Sequence, residues 1–229
     1  STATASPPAQ VSPSPALASP SAQPPASPPP VISVENASEL AQAGSLRFEP
    51  WEMVTALSWS PVGQVLAAAV GSELAWIDPA SFSVLSRSPV GPLTHGLAFA
   101  PDGSRLAAAS HDGQARLWEL APGEKLGEPM RAWEAHKRAA NQAVFSPDGR
   151  LLATGGSDAM VRIWDLETGE VVQAIIGGTF AVPGLAFDAS GEHLFIVNGS
   201  LVRVRVPADG RMSASLHPNE PANLYSLAV

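Results

Sequence analysis

Apolar and polar residues along this chain alternate in short runs of five or six. The runs are broken by turn residues at regular distances. Four segments share one pattern: an aromatic closes an apolar run, a polar turn follows, and glycine ends it. They are Trp59-Ser60-Pro61-Val62-Gly63, Phe99-Ala100-Pro101-Asp102-Gly103, Phe145-Ser146-Pro147-Asp148-Gly149 and Phe187-Asp188-Ala189-Ser190-Gly191. The aromatics are separated by 40 (59 to 99), 46 (99 to 145) and 42 (145 to 187) residues. After each turn come two further strand-like runs around a second turn. Repeat one has Val65 to Val70, Gly71-Ser72, then Leu74 to Trp76; repeat two has Arg105 to Ala109, Ser110-His111-Asp112-Gly113, then Ala115 to Glu119. Repeat three has Leu151 to Gly156, Ser157-Asp158-Ala159-Met160, then Val161 to Asp165; repeat four has His193 to Val197, Asn198-Gly199, then Leu201 to Val206. Asn-Gly between apolar runs is a strong hairpin signal, because both residues tolerate positive φ. A period near 40 built of short strands predicts an all-β fold, a β-propeller of four-stranded antiparallel blades.

These motifs resemble the WD-repeat family from about Ile32 onward. Repeat three is nearest, with Ala135-His136 where the family has Gly-His, and Trp164-Asp165 as the name-giving pair. The resemblance implies a hydrogen-bonded tetrad of His136, Thr154, Asp158 and Trp164 inside that blade. Such a chain satisfies several buried polar groups at once. Repeat two keeps Asp112 and Trp118 but has Ala108 at the hydroxyl position and no clear histidine. Repeat one keeps only Trp76, and repeat four has Arg205 at the tryptophan position. Trp76, Trp118 and Trp164 are expected to recur in register and to be core. Blades one and four are expected to be the looser ones.

Residues 1–31 are Pro, Ser and Ala-rich, with no charge before Glu35. Such a segment buries too little apolar area to offset its ordering entropy, and it reads as a disordered, semi-extended spacer. Residues 32–229 form the propeller segment. Ser226-Leu227-Ala228-Val229 repeats the pattern of Gly96-Leu97-Ala98-Phe99, and Val229 lies 42 residues after Phe187. A fifth repeat is therefore expected to start at the end, making this the N-terminal part of a longer propeller of bacterial type. The spacer resembles in style those of bacterial envelope proteins, which favours an extracytoplasmic location over a cytoplasmic one.

Composition narrows the function. The formal net charge of −8 argues against a nucleic-acid partner held through phosphates. There is no run near the roughly 20 apolar residues of a membrane span. The absence of cysteine excludes disulfides, thiolate metal sites and thiol catalysis. The five histidines show no metalloprotease spacing, and no glycine-rich run has phosphate-loop spacing. His111-Asp112 reads as a polar turn, and Ser157-Asp158 near His136 reads as part of the tetrad rather than a hydrolase triad. No catalytic residue, cofactor or metal is expected. The expected function is a non-catalytic scaffold for a protein or peptide partner, since propeller loops cluster on a rigid face. The alternative is a regulatory or substrate-binding propeller attached to an enzyme such as a hydrolase or sensor kinase. Candidate partner contacts are Trp133, Lys137, Arg138 and His111. Trp133 is also suited to packing in a fourth strand.

Overall fold

In the computed structural model the chain divides into two units, Ser1–Ala43 and Gly44–Val229. The structure describes residues 45–62, 65–120, 126–198, 201–205 and 212–216, all in the second unit. The expected spacer at 1–31, Gly199 of the fourth hairpin turn and the fifth-repeat strand at Tyr225 to Val229 lie outside the described residues.

Among the described residues sixteen strands form four antiparallel meanders, as the repeat pattern predicts. The first sheet holds β1 (Val54–Trp59), β2 (Leu66–Val70), β3 (Glu73–Asp78) and β4 (Ser83–Pro89). The second holds β5 (Thr94–Phe99), β6 (Arg105–Ser110), β7 (Gln114–Glu119) and β8 (Arg131–Glu134). The third holds β9 (Ala140–Phe145), β10 (Leu151–Gly156), β11 (Met160–Asp165) and β12 (Val171–Ile176). The fourth holds β13 (Gly184–Phe187), β14 (Leu194–Asn198), β15 (Leu201–Arg205) and β16 (Met212–Leu216). Each sheet runs in sequence order from its first strand to its fourth. The first strands β1, β5, β9 and β13 neighbour one another from sheet to sheet.

The second strands of sheets one and two are small and apolar because both of their faces are covered. Ala67, Ala68, Ala69, Ala107, Ala108 and Ala109 are fully buried. Three apolar clusters lie between consecutive sheets. Leu74, Trp76, Leu106 and Trp118 join sheets one and two; Leu117, Phe145, Leu152 and Trp164 join two and three; Ile163, Leu185, Leu194 and Ile196 join three and four. A fourth cluster covers the outer face of sheet one, where Leu46 and Phe48 pack near Ala68, Ala75 and Ile77.

The register corrects one expectation. Leu106 pairs with Trp118 and Leu152 with Trp164, but the equivalent Leu66 pairs with Ile77. Trp76 therefore stands one residue early, at the position of Leu117 and Ile163. The cause is the shorter second turn of repeat one. Val70 pairs with Glu73 around two residues, whereas Ala109 pairs with Ala115 around five. Because side chains alternate along a strand, a one-residue shift reverses the face. Trp76 is core, but it points forward onto Phe99 of sheet two, with ring centroids 5.9 Å apart. Its indole N–H has no hydrogen-bond partner among the described residues. In sheet four Arg205 pairs with Leu194, the tryptophan register, as read from the sequence.

The third-sheet turn stores backbone strain. Ala159 has φ of 61°, where the equivalent residue of sheet two is Gly113 at 82°. A left-handed alanine costs about 1–2 kcal/mol, while glycine gives back about 0.4–1 kcal/mol through the unfolded chain. Ala159→Gly is therefore expected to raise stability by about 0.5–1 kcal/mol in urea unfolding.

Candidate functional site: the His136 network and the loop face around it

The third sheet contains a continuous chain of polar side chains. Trp164 Nε1 donates to Thr154 Oγ1 at 3.0 Å, and Thr154 Oγ1 lies 3.0 Å from His136 Nε2. His136 Nδ1 lies 2.8 Å from Asp158 Oδ1. A carboxylate only accepts, so the bond to Asp158 needs the proton on Nδ1, with Nε2 accepting from the threonine hydroxyl; Arg162 Nη1 lies 2.9 Å from the same Nδ1 and donates to the carboxylate beside it. The same carboxylate accepts from the backbone N–H of Lys137 at 3.3 Å and of Met160 at 3.2 Å, and from Arg162 at 3.2 Å. His136 and Thr154 are buried. Burial pulls the His136 pKa below its ordinary 6.5, and repulsion from Arg162 adds to this; the bond to Asp158 opposes both. Burial alone raises Asp158, but the bond from His136 and the two backbone N–H groups outweigh it and hold the carboxyl below 3.8.

Room for the imidazole comes from two glycines. Gly156 lies where any Cβ would collide with the His136 ring, and Gly113 where one would collide with the backbone carbonyl of His136. The sequence reading missed Gly156 and Arg162. Its available signal was Gly155-Gly156 inside a strand, where glycine usually marks close approach of another group.

Equivalent positions show why sheet two does not repeat the network. His136 N donates to Gly113 O at 2.9 Å; the matching donors are Val90 N to Ser72 O and Gly177 N to Ala159 O. Sheet two thus has Val90 for the histidine and buried Ala108 for the threonine. Its Trp118 Nε1 donates instead to Gly127 O at 3.1 Å.

The two ends of the sheets differ in chemistry. At the end carrying the aromatic-turn motifs, aspartates are consumed by their own turns. Asp102 accepts from Ser104 N, Asp148 from Arg150 N, and Asp165 from Glu167 N. Asp188 is held down to about 2 by the His193 side chain, the His193 N–H and Ser190.

At the opposite end, the turn after each second strand anchors the segment entering the sheet. Gly71 N donates to Met53 O, His111 N to Leu93 O, and Ser157 N to Ala139 O. Asn198 Nδ2 does the same to Phe180 O and Ala181 O. Trp51 (79% exposed), Met53 (65%), Leu93 (43%) and Phe180 (68%) project from these segments. Leu93 has φ of 41°, a strained conformation for a leucine. The segment entering sheet three carries exposed Lys137 and Arg138 instead.

His111 is exposed in the neighbouring turn, with its Nδ1 3.5 Å from His95 Nε2. Partial burial, then the charge of His111, lowers the His95 pKa. The structure therefore brings Lys137, Arg138 and His111 to one end. Trp133 lies elsewhere, half-buried in β8. Its ring centroid is 5.1 Å from that of Trp164, and its Nε1 donates to Gly169 O at 2.8 Å. The described residues contain no group of three or more His, Cys, Asp or Glu placed to hold a metal ion, and no helix long and apolar enough to cross a membrane.

Residues 89–119 and 127–165 match the family described as WD domain, G-beta repeat. These matched residues are WD repeats, and the four four-stranded antiparallel sheets in succession make the fold of the described residues a β-propeller of such blades. No curated protein sequence matches it significantly. The second match begins before β8 and ends with β11, so a sequence repeat contributes the outer strand of one sheet and three strands of the next.

Proposed function

We propose that this protein is a non-catalytic interaction scaffold whose partner-binding surface is the end carrying Leu93, His111, Lys137, Arg138 and Phe180. WD-repeat propellers are generally protein-interaction scaffolds. The observation that carries the choice of end is Leu93, exposed and held in a strained conformation by a repeated turn-to-entry hydrogen bond. An exposed apolar side chain at the same end of the sheets as two exposed cations suits a peptide or protein with apolar and acidic groups. The opposite end spends its carboxylates on turn geometry, which explains them without a ligand. Asp158 supports the surface from below, because it binds both the buried histidine and the backbone of Lys137.

The test is comparative affinity capture. Proteins retained by the immobilised wild type are compared with those retained by a Leu93→Ser, Lys137→Glu, Arg138→Glu variant of matching melting temperature. The same species should be lost from the variant and kept by Asp102→Ala at the opposite end. Equal retention by all three proteins overturns the assignment.

A further inference from the structure

We propose that His95 and His111 form a two-ligand site for a divalent transition metal such as Zn2+. Their nearest ring nitrogens, His95 Nε2 and His111 Nδ1, are 3.5 Å apart, and the ring planes are inclined at 58°. In a tetrahedral centre with Zn–N bonds of about 2.0–2.1 Å, two ligand nitrogens stand about 3.3–3.4 Å apart. Small rotations of two exposed rings suffice to turn both lone pairs to one ion.

The backbone beneath the pair is already fixed. His95 follows Thr94, which pairs with Ser110 across β5 and β6, and their buried hydroxyl oxygens are 3.1 Å apart. His111 N bonds to the carbonyls of Pro92 and Leu93 at 3.2 and 3.1 Å. Two imidazoles, one on β5 and one on the turn that follows β6, therefore need little backbone ordering to chelate, which removes part of the entropic cost of binding. Neutral imidazole is a ligand well suited to zinc, copper and nickel.

The remaining coordination positions belong to water or to an incoming side chain. Asp112, the nearest carboxylate in sequence, is engaged by Arg116 Nη2 at 2.5 Å. The other described histidines are committed: His136 to Asp158 and Thr154, His193 to Asp188. An open two-histidine site differs from a closed structural zinc site, because it keeps coordination positions free and leaves the ion accessible. The site stands on the imidazole geometry alone and does not depend on the partner-binding reading.

Isothermal titration of the full chain with Zn2+ at pH 7.5 tests it. The wild type should show one saturable site, and His95→Ala and His111→Ala should each lose it. His193→Ala should keep it. Both substitutions lie on the surface, so unchanged melting of the metal-free variants checks that folding is intact. Saturable binding retained in the His95→Ala, His111→Ala double variant, or no saturable binding by the wild type, overturns the proposal.

Discussion

Gly156→Ala lowers stability by about 3 kcal/mol, more than removal of any single turn carboxylate. A Cβ at this position collides with the His136 ring and lies 2.8 Å from Asp158 Oδ1. The obstacle cannot be relieved by a small shift. The ring is bonded on both nitrogens, and the carboxylate is bonded to two backbone N–H groups. Either the imidazole leaves its pocket, stranding Thr154 and Asp158, or the strand bends. Overpacking of this kind costs about 1–3 kcal/mol, and a stranded buried polar group about as much again. His136→Ala empties the space that the new methyl needs, so the effects are strongly non-additive. The double variant His136→Ala, Gly156→Ala should be no less stable than Gly156→Ala alone. A double-mutant cycle in urea with a coupling below about 0.5 kcal/mol counts against the packing argument.

Much of this molecule was legible because a repeat states its information several times. The aromatic-turn motifs gave the sheet count, and three strands of every sheet overlap the runs read from the sequence, with ends that differ by one or two residues. The fourth strands were less visible. β4 and β12 carry few buried residues, since an outer strand packs one face at most. The register of Trp76 was misread for a local reason. An aromatic near the right distance looked equivalent to Trp118, but a two-residue turn shortens the first hairpin and turns the ring to the other face. Only strand pairing reveals such a shift.

Side-chain networks were legible where each member has few alternative uses, as with His136, Thr154, Asp158 and Trp164. Their proposed role is structural. The loop surface was largely hidden, because Leu93 and Phe180 look like ordinary apolar residues in sequence. Their exposure follows from the entry segments being pinned by neighbouring turns. Trp133 was open to two readings, and its bond to Gly169 O and its tilted contact with Trp164 support packing.

His136→Ala and Asp158→Ala are each expected to lower stability by about 1–3 kcal/mol, through unpairing of buried polar partners. Asp102→Ala, in an exposed turn, is expected to cost about 0.5 kcal/mol or less. The pH dependence separates this role from simple loss of packing. His136 has a folded pKa below 6.5, so the folded state favours its neutral form. Its contribution is complete above the unfolded value of about 6.5 and is lost as pH falls through the lower folded value. Asp158 also has a depressed folded pKa, so its contribution is present above the unfolded value of about 3.9 and fades below it. Both groups therefore destabilise the third sheet on acidification, histidine first. Unfolding free energy of the wild type should decline as pH falls below about 6.5. His136→Ala should flatten the upper part of that decline and leave the lower part, where other carboxylates titrate. Equal losses at His136, Asp158 and Asp102, or an unchanged acid limb in His136→Ala, would sink the structural role and reopen His136 as a functional group. The link to the surface runs through Asp158, whose carboxylate also holds the Lys137 backbone. Amide exchange at Lys137 should accelerate in Asp158→Ala and be unchanged in Asp102→Ala.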